Sequence, residues 1–292
     1  MKKVTLYIFL AAFFFGTMEI SLKLAGNELE QFQLTFLRFM VGGLLLLPFA
    51  VSEIKRRQLR MDVKDYLYLL LLGIVCIPMS MLLFQLGVMR SNAATAALIM
   101  CVSPLFTMFF AHFIIHEKMK RKNVIALLIS VTGILFMVNP FNMQEGNTVQ
   151  GILMVLAGAA LFGLYSVLGK ISIKKIGAIP QTSISFIFGS FVLLVVLWVL
   201  DKPVIAGVWP DNVFIVLYLS VFVTGLAYLF YFQAIALSNA TTGSITFLVK
   251  AAIAPMLAVI ILREPMGIPA ILGIVLVLTG AGLNIFAKFQ KE

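Results

Sequence analysis

The chain has 292 residues, of which 62% are hydrophobic and only 12% charged. A water-soluble fold cannot wet so apolar an exterior, so the composition excludes a soluble protein and requires one embedded in a membrane. The net charge of +10 then belongs to loops facing the membrane potential and anionic lipid. Nucleic acid is excluded as a partner, because no basic patch with interleaved aromatics lies outside the apolar runs.

A spanning helix needs roughly 20 apolar residues. By that measure the chain has ten: 4–25, 33–51, 66–89, 94–115, a short fifth at 123–138, then 150–169, 181–200, 213–236, 242–262 and 267–287. The first follows Met1-Lys2-Lys3 and continues to Ala25 with no small-x-small cleavage signal, so it reads as a retained span. Cys76 and Cys101 lie inside apolar runs and read as small buried hydrophobes. Sixteen of the 22 basic residues fall on loops of one side, including Lys55, Arg56, Arg57, Lys118, Arg121, Lys174 and Lys175. The positive-inside rule makes that side cytoplasmic and places both termini there, in a cell membrane. Trp198 and Trp209 flank an opposite loop as interface anchors.

The two halves of the chain repeat. Ser91-Asn92-Ala93, Glu117 and Gly133 recur as Ser238-Asn239-Ala240, Glu264 and Gly280, each at an offset of 147. The same offset maps Phe15-Gly16 onto Phe162-Gly163 and Lys23 onto Lys170. Five spans per copy is an odd number, so the second copy enters the membrane from the opposite side. The predicted fold is all-α, ten transmembrane helices as two inverted five-helix repeats, 1–141 and 142–292. That architecture suits a carrier whose site lies near the midplane.

Two five-span units, an early Phe-Gly pair in each, the Ser-Asn-Ala start of the fourth span and the Glu at its end resemble the EamA-type members of the drug/metabolite transporter superfamily. The resemblance covers the whole chain. It implies ten helices around a central cavity with the fifth and tenth peripheral, and small polar metabolites, amino acids or organic cations as substrates. The second copy departs from the pattern: the position of Pro104 is Ala251, and Pro255 follows later, which predicts a kink displaced by about one turn.

Lys250 is a single charge near the centre of the ninth span, and its repeat mate is Ser103. An intramembrane ionisable residue costs about 2.5–3.5 kcal/mol on insertion scales and by default marks a site. It is a candidate to bind a carboxylate or phosphate, or to exchange a proton; the competing readings are a structural ion pair or a snorkelling stem. Glu19, peculiar to the first copy where the second has Ser166, is the candidate counter-ion for an ammonium or the coupling carboxylate. Its competing reading is an i, i+4 pair with Lys23. Rise per residue puts Lys250 and Glu19 about 10 Å apart along the membrane normal, a gap that long side chains narrow, so the two are expected to hold opposite ends of a zwitterion. Arg38 either lines the external vestibule or snorkels to Glu28 or Glu30.

Further substrate-binding candidates are Ser103, Ser166, Gln85 and Gln233, with Phe15, Phe162, Tyr165, Tyr228 and Tyr231 as an aromatic lining. Pro78, Pro104 and Pro255 are the expected kinks and gates. Asn92 and Asn239 read as helix caps, and Glu117 and Glu264 as bonds to loop backbone or nearby basic residues. His112 and His116 share a helical face, but the HExxH order is absent, and no metal is expected. No cofactor is expected. The absence of a P-loop argues against ATP hydrolysis, leaving a proton or substrate gradient as the driving force. These features point to a secondary transporter, more specifically an exporter, of an amino acid or related zwitterion. The alternatives are proton-coupled efflux of organic cations and, from another class, a membrane-embedded lipid-modifying enzyme, which lacks the clustered catalytic residues it needs.

Overall fold

The computed structural model describes residues 2–26, 28–118, 121–138, 145–263, 267–268, 271–273, 275–276 and 279–280. Among the described residues eight helices are long and apolar enough to cross a membrane: α1 (Lys3–Ala25), α2 (Gln31–Arg56), α3 (Val63–Val88), α4 (Ala93–Ile115), α6 (Val149–Ile176), α7 (Ala178–Val199), α8 (Val213–Ala236) and α9 (Ala240–Leu262). The shorter α5 (Arg121–Val138) lies between the fourth and sixth. Its Ile125, Leu128, Leu135 and Phe136 are exposed, as a peripheral helix facing lipid requires. The tenth span, predicted at 267–287, lies largely outside the described residues, as does Glu264. Its described residues Ile268, Ile271, Leu272 and Val275 are also exposed. Among the described residues there is no strand, since in lipid only a helix satisfies its own backbone without a partner.

Local sequence sets where these helices begin. The Glu30 carboxylate accepts from the amides of Phe32 and Gln33 at the start of α2. Thr148 accepts from Gly151 at the start of α6, and Asn239 from Thr242 at the start of α9, each filling an orphan donor of a first turn. Asn92 departs from this expectation. Its side chain donates instead to the Glu145 carbonyl, and its backbone amide donates to the Asn147 side chain, so it ties α4 to the seam between the halves.

Among the described residues five of these helices are interrupted, four of them near mid-span; α1 breaks at Thr17. α3 widens to a π-helix over Val75–Met81 around Pro78, and α8 does the same over Leu219–Leu226 without a proline. α4 breaks at Cys101 and Val102, just before Pro104. In α9 the break is at Ser244, and Ile245–Leu262 then runs through Pro255 uninterrupted. The discontinuity of α9 lies nearer the helix start, where Ser244 bonds back to the Thr241 carbonyl, and Pro255 falls within the continuous helix that follows.

The halves interlock by exchanging partners. Gly16 on α1 packs on Ile253 and Ala254 of α9; Gly163 on α6 packs on Phe106 and Thr107 of α4. All three correspondences, Gly16 with Gly163, Phe106 with Ile253 and Thr107 with Ala254, obey the offset of 147. One turn further on, Ile20 clusters with Ala258 and Val167 with Ala111, so each pair of helices runs parallel. α1 and its repeat α6 are thus oriented oppositely in an alternating chain, as inversion demands. The loops form two ends. At one, Lys175 bonds Asp65 at 2.6 Å, Lys170 donates to the carbonyls of Ile235 and Ser238, and Glu117 accepts from Ala240 and Thr241. At the other, Glu28 accepts from Asn212 and Lys202 lies 3.5 Å from Glu30.

Candidate substrate site

At the core of the bundle Lys250 Nζ donates to Glu19 Oε1, and the two side chains are 0% and 1% exposed. The register of α1 against α9 explains how they meet. Gly16 lies level with Ile253 and Ala254, so Glu19 sits about one turn above that level and Lys250 about one turn below it. The resulting separation of about 10 Å is bridged by the long lysine stem and the shorter glutamate. The residues placed at opposite ends of a substrate by sequence therefore hold each other, and Glu19 takes Lys250 rather than relying on Lys23 within its own helix. Two charges sealed from water are tolerated because they neutralise each other; removing either costs about 3–5 kcal/mol. Glu19 Oε2 has no hydrogen-bond partner.

Arg38, on α2, is also fully buried. Its Nη1 donates to Met18 Sδ at 3.7 Å, and its guanidinium carbon lies 4.6 Å from the Phe39 ring centroid. The expected rim partners are engaged elsewhere: Glu28 with Asn212, Glu30 with the α2 start and Lys202. Of the two readings of Arg38 the snorkelling one is thus corrected: it is an interior residue, and it approaches Glu19 through the adjacent Met18. Gln85 is buried on α3, where Thr35 Oγ1 donates to its Oε1 at 2.8 Å.

The aromatic candidates gather around this charged centre. Phe15 stacks on Phe247 at 5.5 Å and meets Tyr228 edge-on at 5.1 Å. Phe162 lies 5.0 Å from Phe247 and 5.9 Å from both Tyr165 and Tyr228. The Lys250 ammonium is 5.9 Å from the rings of Phe84 and Phe247, at the limit of a cation–π contact. Ser166, the repeat mate of Glu19, accepts from Tyr231 Oη at 2.8 Å. Ser103, the mate of Lys250, is buried with its hydroxyl unpartnered. The inversion therefore places an ion pair on one side of the centre and two hydroxyl residues on the other.

Several expectations lie apart from this cluster. Gln233 follows the buried Tyr231 by two residues and points away from it, half-buried; it is not brought to the centre. His112 Nδ1 bonds the Glu117 carbonyl oxygen at 3.2 Å, and among the described residues no three His, Cys, Asp or Glu gather. Glu117 holds the start of α9 through Thr241 and Ala240, a bond to loop backbone as read from sequence. Sequence reasoning missed Thr35, Phe39, Phe84, Phe186 and Phe247. The offset of 147 carries a signal for two of them, since it maps Phe39 onto Phe186, and these rings meet at 4.7 Å.

The comparisons with known proteins agree with this architecture. The chain matches the EamA-like transporter family twice, over residues 2–139 and 149–286. It is 35% identical over 290 residues to an uncharacterized transporter of Clostridium kluyveri, covering 97% of this chain and 93% of the relative. It is 27% identical over 264 residues to the uncharacterized transporter YyaM of Bacillus subtilis, covering 85% and 83%. A WAT1-related chloroplastic protein of Arabidopsis thaliana is 26% identical over 80% of this chain and 56% of its own length. A solved crystal structure shares the fold with a TM-score of 0.74 at 17% identity, covering 100% of this chain and 99% of the other. Two matched repeats spanning nearly the whole sequence, on a bundle of apolar helices, place this multi-pass membrane protein in the EamA-like transporter family.

Proposed function

We propose that the protein is a secondary transporter that exports a small zwitterion, an amino acid or a close relative, by alternating access. It lies in a cell membrane with both termini cytoplasmic, and its two repeats are the units 1–141 and 142–292. The observation that carries this reading is the Lys250–Glu19 pair, sealed at the junction of helices from opposite repeats. A zwitterion replaces such a pair charge for charge. Its carboxylate takes the lysine, its ammonium takes the glutamate, and neither charge of the pair is left unmatched by the exchange. The mid-span interruptions of α1, α3, α4 and α8, with the break near the start of α9, supply backbone able to flex as one repeat rocks against the other. Glu117, gripping the start of α9 from the end of α4, links the repeats at the end of the bundle that carries most of the basic loops.

Efflux of an organic cation is the second reading. It draws on the free oxygen of Glu19 and on the surrounding rings. The site carries two cationic side chains against one carboxylate, which opposes a third positive charge. The test is counterflow of labelled amino acids in liposomes holding the purified protein. Lys250→Met and Glu19→Gln should each slow it by about tenfold or more, the loss expected when one charged contact to substrate is removed. If Lys250→Met transports as wild type while Glu19→Gln is inactive, the cation reading replaces the zwitterion one.

A further inference from the structure

Three buried N–H-bearing atoms near the ion pair lack an acceptor: Arg38 Nε, Arg38 Nη2 and Gln85 Nε2. Buried donors are nearly always satisfied, and an interior guanidinium without a counter-ion is costlier still. Their arrangement is specific. The Nε–Nη2 edge of arginine is the fork that takes a carboxylate through two parallel bonds. The Thr35 hydroxyl lies 2.8 Å from Gln85 Oε1 and 2.9 Å from the Gln31 carbonyl, and Gln85 Nε2 is left without an acceptor. Thr35 and Arg38 lie one turn apart on the same face of α2, so Gln85, held at Thr35, approaches the face of α2 that carries Arg38. Among the described residues no carboxylate lies within salt-bridge distance of Arg38.

Charge balance says what fits. Lys250 and Glu19 cancel, and Arg38 leaves the dry centre with one positive charge. A neutral zwitterion exchanging with the ion pair does not remove it; a ligand of net charge −1 does. Building on the proposed zwitterion transport, we infer that the substrate is an acidic amino acid, whose second carboxylate is bound by Arg38 and Gln85. Glu19 receives its ammonium and Lys250 its α-carboxylate. The approach of Arg38 to Met18, next to Glu19 in sequence, brings the sites within reach of one small molecule.

The test compares binding of L-glutamate and of its neutral isostere L-glutamine to the purified full-length protein by calorimetry. Wild type should bind glutamate about tenfold tighter or better, the discrimination a charge-assisted fork makes against an amide. Arg38→Gln should abolish that preference by weakening glutamate binding about tenfold, and a single cooperative thermal melt shows that the variant is folded. Arg38→Lys keeps the charge without the fork and should retain only part of the preference. Equal wild-type binding of the two ligands, lost together in Lys250→Met, upholds the zwitterion site and overturns the role given to Arg38. Failure of both to bind overturns both readings. If sodium chloride alone gives a thermal stabilisation that Arg38→Gln removes, and glutamate binds no tighter than glutamine, the donors serve an inorganic anion and the assignment is wrong.

Discussion

Phe39 and Phe186 occupy the same position in the two repeats, and their rings meet edge to face at 4.7 Å. A residue that touches its own repeat mate lies on the pseudo-two-fold axis of the inverted pair. Tyr228 and Met81 do the same, the phenol hydroxyl donating to the thioether at 2.9 Å. These contacts mark the line about which the halves are related. Lys250 and Glu19 lie to one side of it, so the transporter is symmetric in backbone and asymmetric in charge.

Truncating an axial ring removes a buried contact that both repeats share. Phe186→Ala should destabilise the protein by about 3–5 kcal/mol, the range for deleting a buried phenylalanine. Thermal unfolding in detergent measures it. Phe39→Ala should cost about as much, and the double variant less than the sum, because the two rings contact each other.

The glycines at the helix crossings should respond unequally. A Cβ at Gly163 would meet the Thr107 backbone nitrogen at 2.7 Å, whereas at Gly16 the obstacle is the Ile253 Cγ2 methyl at the same distance. A methyl at a side-chain end can turn aside and backbone cannot. Gly163→Ala is expected to lose about 1–3 kcal/mol by overpacking, and Gly16→Ala markedly less. Paired melting curves of the two variants decide it, and equal losses would count against the parallel packing of α6 on α4.

The buried pair predicts a non-additive stability series. Lys250→Met or Glu19→Gln alone leaves one charge unmatched in the interior, at about 3–5 kcal/mol. Lys250→Met combined with Glu19→Leu removes both charges and should recover most of that stability while abolishing transport. Recovery of folding without recovery of function separates the pair's structural part from its transport part.

Glu117 holds the start of α9 through Ala240 and Thr241, so Glu117→Ala removes a cap worth about 0.5–2 kcal/mol. It touches none of the site candidates. It should therefore lower the maximal transport rate while changing substrate affinity less than about twofold. A large change in affinity, read by the same calorimetry, would place Glu117 in the binding site instead.

Much of this was legible in the sequence because duplication copies packing as well as residues. The offset of 147 between Phe15-Gly16 and Phe162-Gly163 foretold that each glycine meets an equivalent helix. The single charge at Lys250 announced itself against an apolar background. What sequence could not supply was pairing across distance. Glu19 has Lys23 one turn away, and only the register of α1 on α9 shows that Lys250, 231 residues on, reaches it. Arg38 had two acidic neighbours near the rim, and both are consumed by a helix start, a lysine and an asparagine. Phe39 and Phe186 were hidden among 26 phenylalanines, where any one is lipid-facing or packed by default. The break at Ser244 follows from a hydroxyl bonding back into its own turn, which the louder Pro255 obscured.

The most direct measurement is the accessibility of position 250. In a background with Cys76 and Cys101 replaced by alanine, both buried in the native protein, Lys250→Cys is treated with a membrane-impermeant thiol reagent from either face of sealed vesicles. Alternating access through this position predicts modification of the thiol from both faces. A thiol that resists the reagent from both faces, with and without substrate, would mean that the ion pair only holds helices together and that transport passes elsewhere.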